Sequence, residues 1–460
     1  MSELTGRVLR PGDPGWDMAR HGFAKWADYA NNTPRAVVFC QDAGDVINAV
    51  NWARDNHVPV RARSGRHNYE GWSSLIKDGL IIDLGDIDYV KVAADRSTAT
   101  VGAGIDALEA LEALGDVGVT FPIATGKTVG LAGLTLGGGF GVTARKWGLT
   151  CDNLVSLDIV TADGVLRTAS ATENTDLFWA CRGGGGGNFG IVTSFTYNVH
   201  AVSTVAVFSI DYAWDNFEQV VDRWQQWNET ALDDLSAYIT LLTTRSITFQ
   251  GQYTPDDPRQ LGQINTLLAP MLDPTLIPTA VNIQMLPLQI ANRVVVGVDP
   301  MNPQWLVHKH SDDQIFKSSS AFSYNNFPMD VLTLLRTELE SVPPLSADPS
   351  QPSMIQLLGG GGAVARPATD ATAAFHRKNK FVVQYDAYWT APQDHAKTVG
   401  WIEHFRKLLS PHTRGAYVNY VDHYIKDPLI EYYGDNLPRL REIKKKYDPD
   451  NFFQYPQSIR

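Results

Sequence analysis

Residues Arg61-Ala62-Arg63-Ser64-Gly65-Arg66-His67-Asn68-Tyr69-Glu70-Gly71 set one histidine in a loop that directly follows an apolar strand predicted over 58–63. Gly65, two residues before His67, and Gly71, four after it, relax backbone sterics, so peptide N–H groups there can approach an anionic ligand closely. Taken alone, the pattern more readily describes a capped surface turn with an ordinary imidazole. Its setting changes the weight. Upstream, 36–40 reads as a short apolar strand, and Asp42 precedes a helical face of Val46, Ile47 and Val50. That strand–helix–strand unit delivers the chain into the His67 loop, as α/β layers deliver functional loops at strand ends.

Composition narrows the function classes. A chain of 460 residues, 44% hydrophobic, has length for two or three domains with packed cores. The net charge is −11 and the longest basic run is Lys444-Lys445-Lys446, so no stripe exists to neutralise nucleic-acid phosphates or anionic lipid. The first residues lack an apolar signal core, and no stretch reaches the roughly 20 apolar residues that span a bilayer; a cytoplasmic location is expected. Cys40, Cys151 and Cys181 are too far apart for a disulfide framework or a metal knuckle, so no metal site is expected. The sequons at Asn31 and Asn228 are then idle.

Further along, 79–84 and 98–105 read as strands, and Asp106 with Glu109 forms a capping box ahead of the Leu108–Leu111–Leu114 helix. Between Gly126 and Gly141 lie seven glycines, too many for a stable helix interior, which points to backbone wrapped against a ligand. Two imitations are set aside here. Gly126-Lys127-Thr128 ends like a P-loop, but Phe121 stands where that motif needs glycine, and Gly139 to Ala144 has no strand leading into it. A strand over 153–161, the turn Ala162-Asp163-Gly164 and a helix over 176–181 lead to a glycine run, 183–187. Its Gly185–Gly190 portion matches a dinucleotide fingerprint, yet the β-rich run 191–197 follows where a helix is required. Phosphate contact through backbone amides needs no such turn.

From about residue 201 the glycine clusters stop. Two β-rich stretches, 205–212 and 238–253, alternate with helices over 217–232 and 260–272, a Pro-rich connecting loop covers 342–352, and 381–389 is an aromatic strand. Trp224, Trp227, Tyr388 and Trp389 suit core packing better than a pocket. In the tail, Tyr417 and Tyr420 would point to opposite faces of a strand but could enter one cavity from an irregular segment. Pro438 suits the first turn of a helix running to Tyr447. The class is α+β.

With the tail in view, the chain resembles the berberine-bridge-enzyme-like branch of the vanillyl-alcohol-oxidase (PCMH-type) flavoprotein superfamily. The resemblance rests on Arg63 to Gly71, the Thr128-Val129-Gly130 to Gly139 stretch, Gly148 to Leu154, Gly187-Asn188-Phe189-Gly190-Ile191-Val192, Tyr417-Val418-Asn419-Tyr420 and Tyr447-Asp448-Pro449-Asp450-Asn451-Phe452, in family order. It implies a two-part PCMH-type FAD-binding domain, residues 1–200 completed by 415–460, with a substrate domain at 201–414 built on an antiparallel sheet covered by helices. It also implies an 8α-histidyl bond between FAD and His67. Many members attach FAD a second time through a cysteine; the matching position here is Gly126, and Cys151 lies too far along, so a single covalent bond is expected. Leu134 replaces a histidine common in the glycine stretch. Val129 stands at the oxygen gate, where a small residue resembles the oxygen-reactive members.

By the same resemblance the cofactor is contacted by Arg63, Ser64, Gly65, Arg66 and Asn68 around His67; by Gly126, Thr128, Val129, Gly130, Gly133, Gly137, Gly138, Gly139 and Gly141; by Asn153, Gly190, Ile191 and Val192; and by Asn419 and Asn451. Tyr420 is the expected base, Tyr417 its neighbour, and Gln384 and Tyr385 pocket residues. A phenol of pKa about 10 can serve as base near neutrality only beside positive charge or hydrogen-bond donors. The expected reaction removes a hydride from a hydroxyl-bearing carbon of a sugar, oligosaccharide or other alcohol to flavin N5, with O2 giving hydrogen peroxide. Alternatives are oxidative cyclisation or dehydrogenation of a secondary metabolite, and a flavin-binding protein of low turnover.

Overall fold

The helix Ala43–Asp55 begins where the Asp42 side chain accepts the Asp45 N–H at 3.0 Å, and it turns Val46, Ala49, Val50 and Ala53 into the interior. It connects Ala36–Phe39 to Val60–Arg63, and both strands run parallel to Leu80–Asp83, which lies between them; Arg7–Leu9 closes the sheet on the far side of Ala36–Phe39. The His67 loop therefore leaves the carboxyl end of a parallel strand. The computed structural model describes residues 3–298, 315–341 and 352–460, so nearly all of the Pro-rich stretch 342–352 lies outside the described residues.

A second, antiparallel sheet follows, in the order Val90–Val92, Thr98–Gly102, Ile191–Asn198, Leu154–Val160, Leu166–Ser170. The glycine run before Ile191 thus feeds the sheet's central strand, as its β-rich composition predicts. The expected capping box is formed: Asp106 accepts the Glu109 N–H at 2.9 Å and Glu109 accepts the Asp106 N–H at 3.1 Å, opening the helix Ala107–Gly115. Both sheets share one core, and the tail joins it through Ala416, Tyr432, Tyr433, Leu440, Phe453 and Ile459.

The inserted part is a seven-stranded antiparallel sheet in the order Pro278–Pro287, Thr204–Tyr212, Ser246–Tyr253, Leu235–Leu242, Met354–Gly359, Phe381–Tyr388, Phe316–Ser323. One face packs on the helices Phe217–Thr230, Met329–Ser341 and His395–Leu409, making the second core. Trp224 and Trp227 lie in that core, in line with packing rather than a pocket. Instead of the helix expected over 260–272, only a 3₁₀ turn, Pro258–Gln263, and the short helix Ile264–Leu267 form. Ion pairs and carbonyl contacts tie the halves together. Arg145 donates to the carbonyls of Asn228 at 3.2 Å, Ala231 at 2.7 Å and Gly360, and Lys146 meets Asp234 at 2.9 Å and Asp256 at 2.6 Å. Among the described residues no helix is long and apolar enough to cross a membrane.

Candidate active site

A cavity of about 460 Å³ lies between the two cores, inside the range of roughly 300 to 1,000 Å³ usual for cofactor and small-molecule sites. It runs from the strand Val60–Arg63 past His67 to the open face of the seven-stranded sheet. Of the residues implicated by sequence, Arg63 to Asn68, Gly126, Val129, Gly130, Gly133, Gly141, Gly190 to Val192, Tyr417, Asn419, Tyr420 and Gln384 line it. His67 is held from two sides: its ring stacks on Phe23 at 3.9 Å with 22° between planes, and Nε2 lies 2.7 Å from Thr128 Oγ1.

The glycines fall into two groups. A Cβ on Gly65 would sit 2.1 Å from the Gly130 nitrogen, and one on Gly130 would sit 2.2 Å from the Gly65 nitrogen, so the His67 loop and the start of the helix Leu131–Leu136 meet backbone on backbone. At Gly133, by contrast, a Cβ would have no protein atom within 4 Å; at Gly186 and Gly187 the nearest lie at 3.8 and 3.9 Å. All three line the cavity, where side chains would fill a cradle of bare backbone. Such a cradle fits a flat, diphosphate-bearing cofactor approached closely by peptide groups.

Several expected contacts are corrected. The guanidinium groups of Arg63 and Arg66 pair with Asp83, Arg63 Nε at 2.5 Å and Arg66 Nη2 at 3.2 Å, so both charges are engaged within the protein. The first pair is fully buried, and breaking it would cost about 3–5 kcal/mol. Thr128 acts on His67 and does not line the cavity. Gly137, Gly138 and Gly139 pack behind it; a Cβ on Gly137 would strike the Asn419 carboxamide and one on Gly139 would strike Thr150. Asn153 donates to the carbonyls of Trp147 at 3.1 Å and Leu149 at 3.0 Å, a loop-closing role outside the cavity. Asn451 lines a different hollow with His57 and Arg167.

At the sheet end the tail is irregular, Tyr420 N–H donating to the Tyr417 carbonyl at 2.9 Å, so both rings enter one cavity, edge to face at 5.0 Å. Tyr417 Oη accepts from the Gly139 N–H and from Asn419 Nδ2, each at 2.9 Å. Tyr420 stacks on Tyr69 at 5.4 Å. Burial pushes the Tyr420 phenol well above its ordinary value, and Tyr69, Tyr417 and Asp386 push the same way. These surroundings oppose ionisation of Tyr420.

The group that sequence reasoning missed is Asp386. Along Phe381–Tyr388 side chains alternate, so Val383, Tyr385 and Ala387 enter the helix-covered core while Gln384 and Asp386 face the other way. Tyr385 is therefore no pocket residue. Its hydroxyl is buried with no hydrogen-bond partner among the described residues, so Tyr385→Phe should leave kcat within about twofold and urea-unfolding stability unchanged or up to about 1 kcal/mol higher. Asp386 accepts from Gln384 Nε2 at 2.7 Å through Oδ2, and its Oδ1 has no partner among the described residues. Burial raises its pKa to about 7, offset only in part by Ser318 and Gln384. Period-two parity from Gln384 was the signal that could have found it. Also missed were Arg61, a largely buried cation in the cavity wall whose acceptors include the carbonyls of Trp72 and Gln454, and the glycines Gly185 to Gly187.

Glycine cradle, an imidazole held by Thr128 and Phe23, and inserted sheet define an FAD-linked oxidoreductase. Residues 34–170 match the FAD binding domain family and 416–460 the family described as berberine and berberine like. The FAD-linked oxidoreductase YgaK of Bacillus subtilis (strain 168) is 37% identical over 464 residues, covering 100% of this chain and 97% of the relative. Among solved structures, BBE-like 1 of Physcomitrella patens superposes with a TM-score of 0.91 at 28% identity, covering 99% of this chain and 97% of that one. Phl p 4 matches at TM-score 0.87 over 98% of this chain and 96% of that one, both as the wild type, a glucose dehydrogenase at 25% identity, and as an isoleucine-to-valine variant, a glucose oxidase at 26%. The chain belongs to the berberine-bridge-enzyme-like family of FAD-linked oxidoreductases.

Proposed function

We propose that the protein is an FAD-dependent oxidase of alcohols, sugar-type hydroxyls foremost, with the cofactor covalently held by His67 alone. The observation that carries this reading is Asp386, a buried carboxylate poised near neutrality and hydrogen-bonded to Gln384, which itself lines the cavity. Held by the His67 loop and the glycine cradle, FAD would supply the hydride acceptor and the route for electrons to O2. Asp386 takes the hydroxyl proton at Oδ1, while Gln384 holds Oδ2 and fixes the plane of the carboxylate. Tyr69 and Tyr420, stacked on each other and each raised by burial and by Asp386, stay neutral. Gln384, Gln356 and Tyr238 add uncharged donors and acceptors to the wall, suited to a neutral polyhydroxylated substrate. For O2 as acceptor, support comes from Val129 in the cavity wall and from Phl p 4, where exchange of an isoleucine for valine separates a dehydrogenase from an oxidase.

The single anchor is supported by Gly126, which offers no thiol, and by Cys151, fully buried, outside the cavity and pushed toward the neutral thiol by burial. After acid denaturation, flavin should stay on the peptide containing His67 and on no other, and His67→Ala should release it. A second flavinylated peptide, or flavin freed from the wild type, rejects the single tether. Turnover is tested by peroxide release against a panel of sugars and aromatic alcohols; no peroxide from any of them overturns the oxidase reading.

A further inference from the structure

Behind the catalytic wall lies a group of buried charges that the proton transfer does not use. Lys317, on the strand Phe316–Ser323, is 1% exposed and contacts two carboxylates: Glu70 of the His67 loop, and Asp422 of the tail at 2.6 Å. Each member has a neighbour in the site. Glu70 follows Tyr69, Asp422 comes two residues after Tyr420, and Lys317 precedes Ser318, which stands opposite Asp386 in the strand register. The remaining bonds of the two acids go to the same segments. Glu70 accepts the His423 N–H at 3.0 Å, and Asp422 accepts the Tyr424 N–H at 3.0 Å and Ser319 Oγ at 2.6 Å.

We propose that Lys317 is a positioning residue: by binding Glu70 and Asp422 together it fixes the Tyr69–Tyr420 stack against the strand that carries Asp386. The role rests on the reading above, in which Asp386 takes the proton. Removal of the ammonium would leave two carboxylates facing each other away from water, an arrangement that either forces them apart or requires one to hold a proton. Glu70 is the one that takes it: without the lysine only the His423 N–H offsets its burial, whereas Asp422 keeps both Ser319 Oγ and the Tyr424 N–H. Other groups around the triad do not replace the lysine. Arg406 reaches only Asp422, at 3.7 Å; Glu403 is a further acid, itself raised by burial and by Asp422; the Tyr424 ring lies 5.3 Å from Nζ; and Tyr432 Oη meets the Asp422 main chain at 3.4 Å.

The test compares K317M and E70Q/K317M with the wild type, each at the same pH, from about pH 6 to about pH 8, by kcat, KM and visible circular dichroism of the bound flavin. For K317M, kcat should be about tenfold below wild type at pH 8, recover to within about threefold at pH 6 as Glu70 binds a proton, and leave KM within about twofold. In E70Q/K317M the introduced amide donates to Asp422, so kcat and the dichroism should lie near wild type across the range. A K317M profile parallel to wild type, or a double variant no better than the single one, overturns the proposal. If K317M is insoluble, the double variant alone decides: near-wild-type kcat supports the role and a tenfold loss rejects it. If no alcohol is turned over by the wild type, the oxidase reading fails separately, and the pH-dependent dichroism of K317M and its reversal by E70Q still test the triad.

Discussion

Asp386→Asn is expected to lower kcat about a thousandfold while the flavin stays bound. General-base assistance is worth roughly 10²–10⁴ in rate, and asparagine keeps the volume and the contact with Gln384 while losing the ability to take a proton. In the wild type, kcat/KM should rise with pH through about 7, because the carboxylate is the active form; in the variant that limb should vanish. Stability should move in the opposite direction. A carboxyl whose folded pKa is raised from 3.8 to about 7 contributes stability that is complete below the unfolded value and is lost as pH rises through the folded one. At pH 8 the variant should therefore be the more stable protein, by up to about 4 kcal/mol at about 1.4 kcal/mol per pK unit, read from urea unfolding. A slower but also less stable variant would contradict the buried-base reading. If Tyr420→Phe gives the larger kinetic loss instead, the proton goes to the phenol.

That Asp386 had to come from the structure, while His67 did not, follows from what each depends on. The His67 loop is written locally: a strand, two glycines and a histidine within eleven residues, with caps at Asp42 and Asp106 that form as their spacing demands. The site on the sheet depends on parity and pairing. Pairing Gln384 with Tyr385 put adjacent residues on one face, which a strand forbids. Phe316–Ser323, with four serines, has the composition of a loop, yet forms an edge strand because Ser318 and Ser320 stand opposite Asp386 and Gln384 and Ser319 bonds to Asp422. Met354–Gly359 and Pro278–Pro287 were likewise silent, since what makes them strands is their neighbours across the sheet. Arg63 and Arg66 show the same limit: Arg63 and Asp83 are register partners in parallel strands, a contact visible only once Val60–Arg63 is paired with Leu80–Asp83.

Two glycines one helical turn apart should fail in opposite ways when replaced. Gly130→Ala puts a methyl group 2.2 Å from the Gly65 nitrogen and 2.6 Å from Ser64 Oγ, and Ser64 is itself held by the Ala103 carbonyl at 2.7 Å. Backbone on that side cannot yield without moving the His67 loop. A loss of more than about 3 kcal/mol is expected, above the usual cost of overpacking, with flavin binding lost as a consequence. Gly133→Leu, in the same helix Leu131–Leu136, meets no protein atom at its Cβ and replaces a weak helix former by a strong one, which favours the helix by about 1 kcal/mol. The flavin-free protein should therefore melt no lower than wild type, yet its side chain occupies the cradle and should weaken flavin incorporation at least tenfold, measured as flavin absorbance per protein after purification. The contrast separates the two reasons for the glycine-rich stretch: at Gly130 the missing side chain makes room for the protein's own backbone, and at Gly133 it makes room for the cofactor. If Gly133→Leu is purified fully loaded with flavin, the cofactor does not lie over that helix and the cradle has been assigned to the wrong wall.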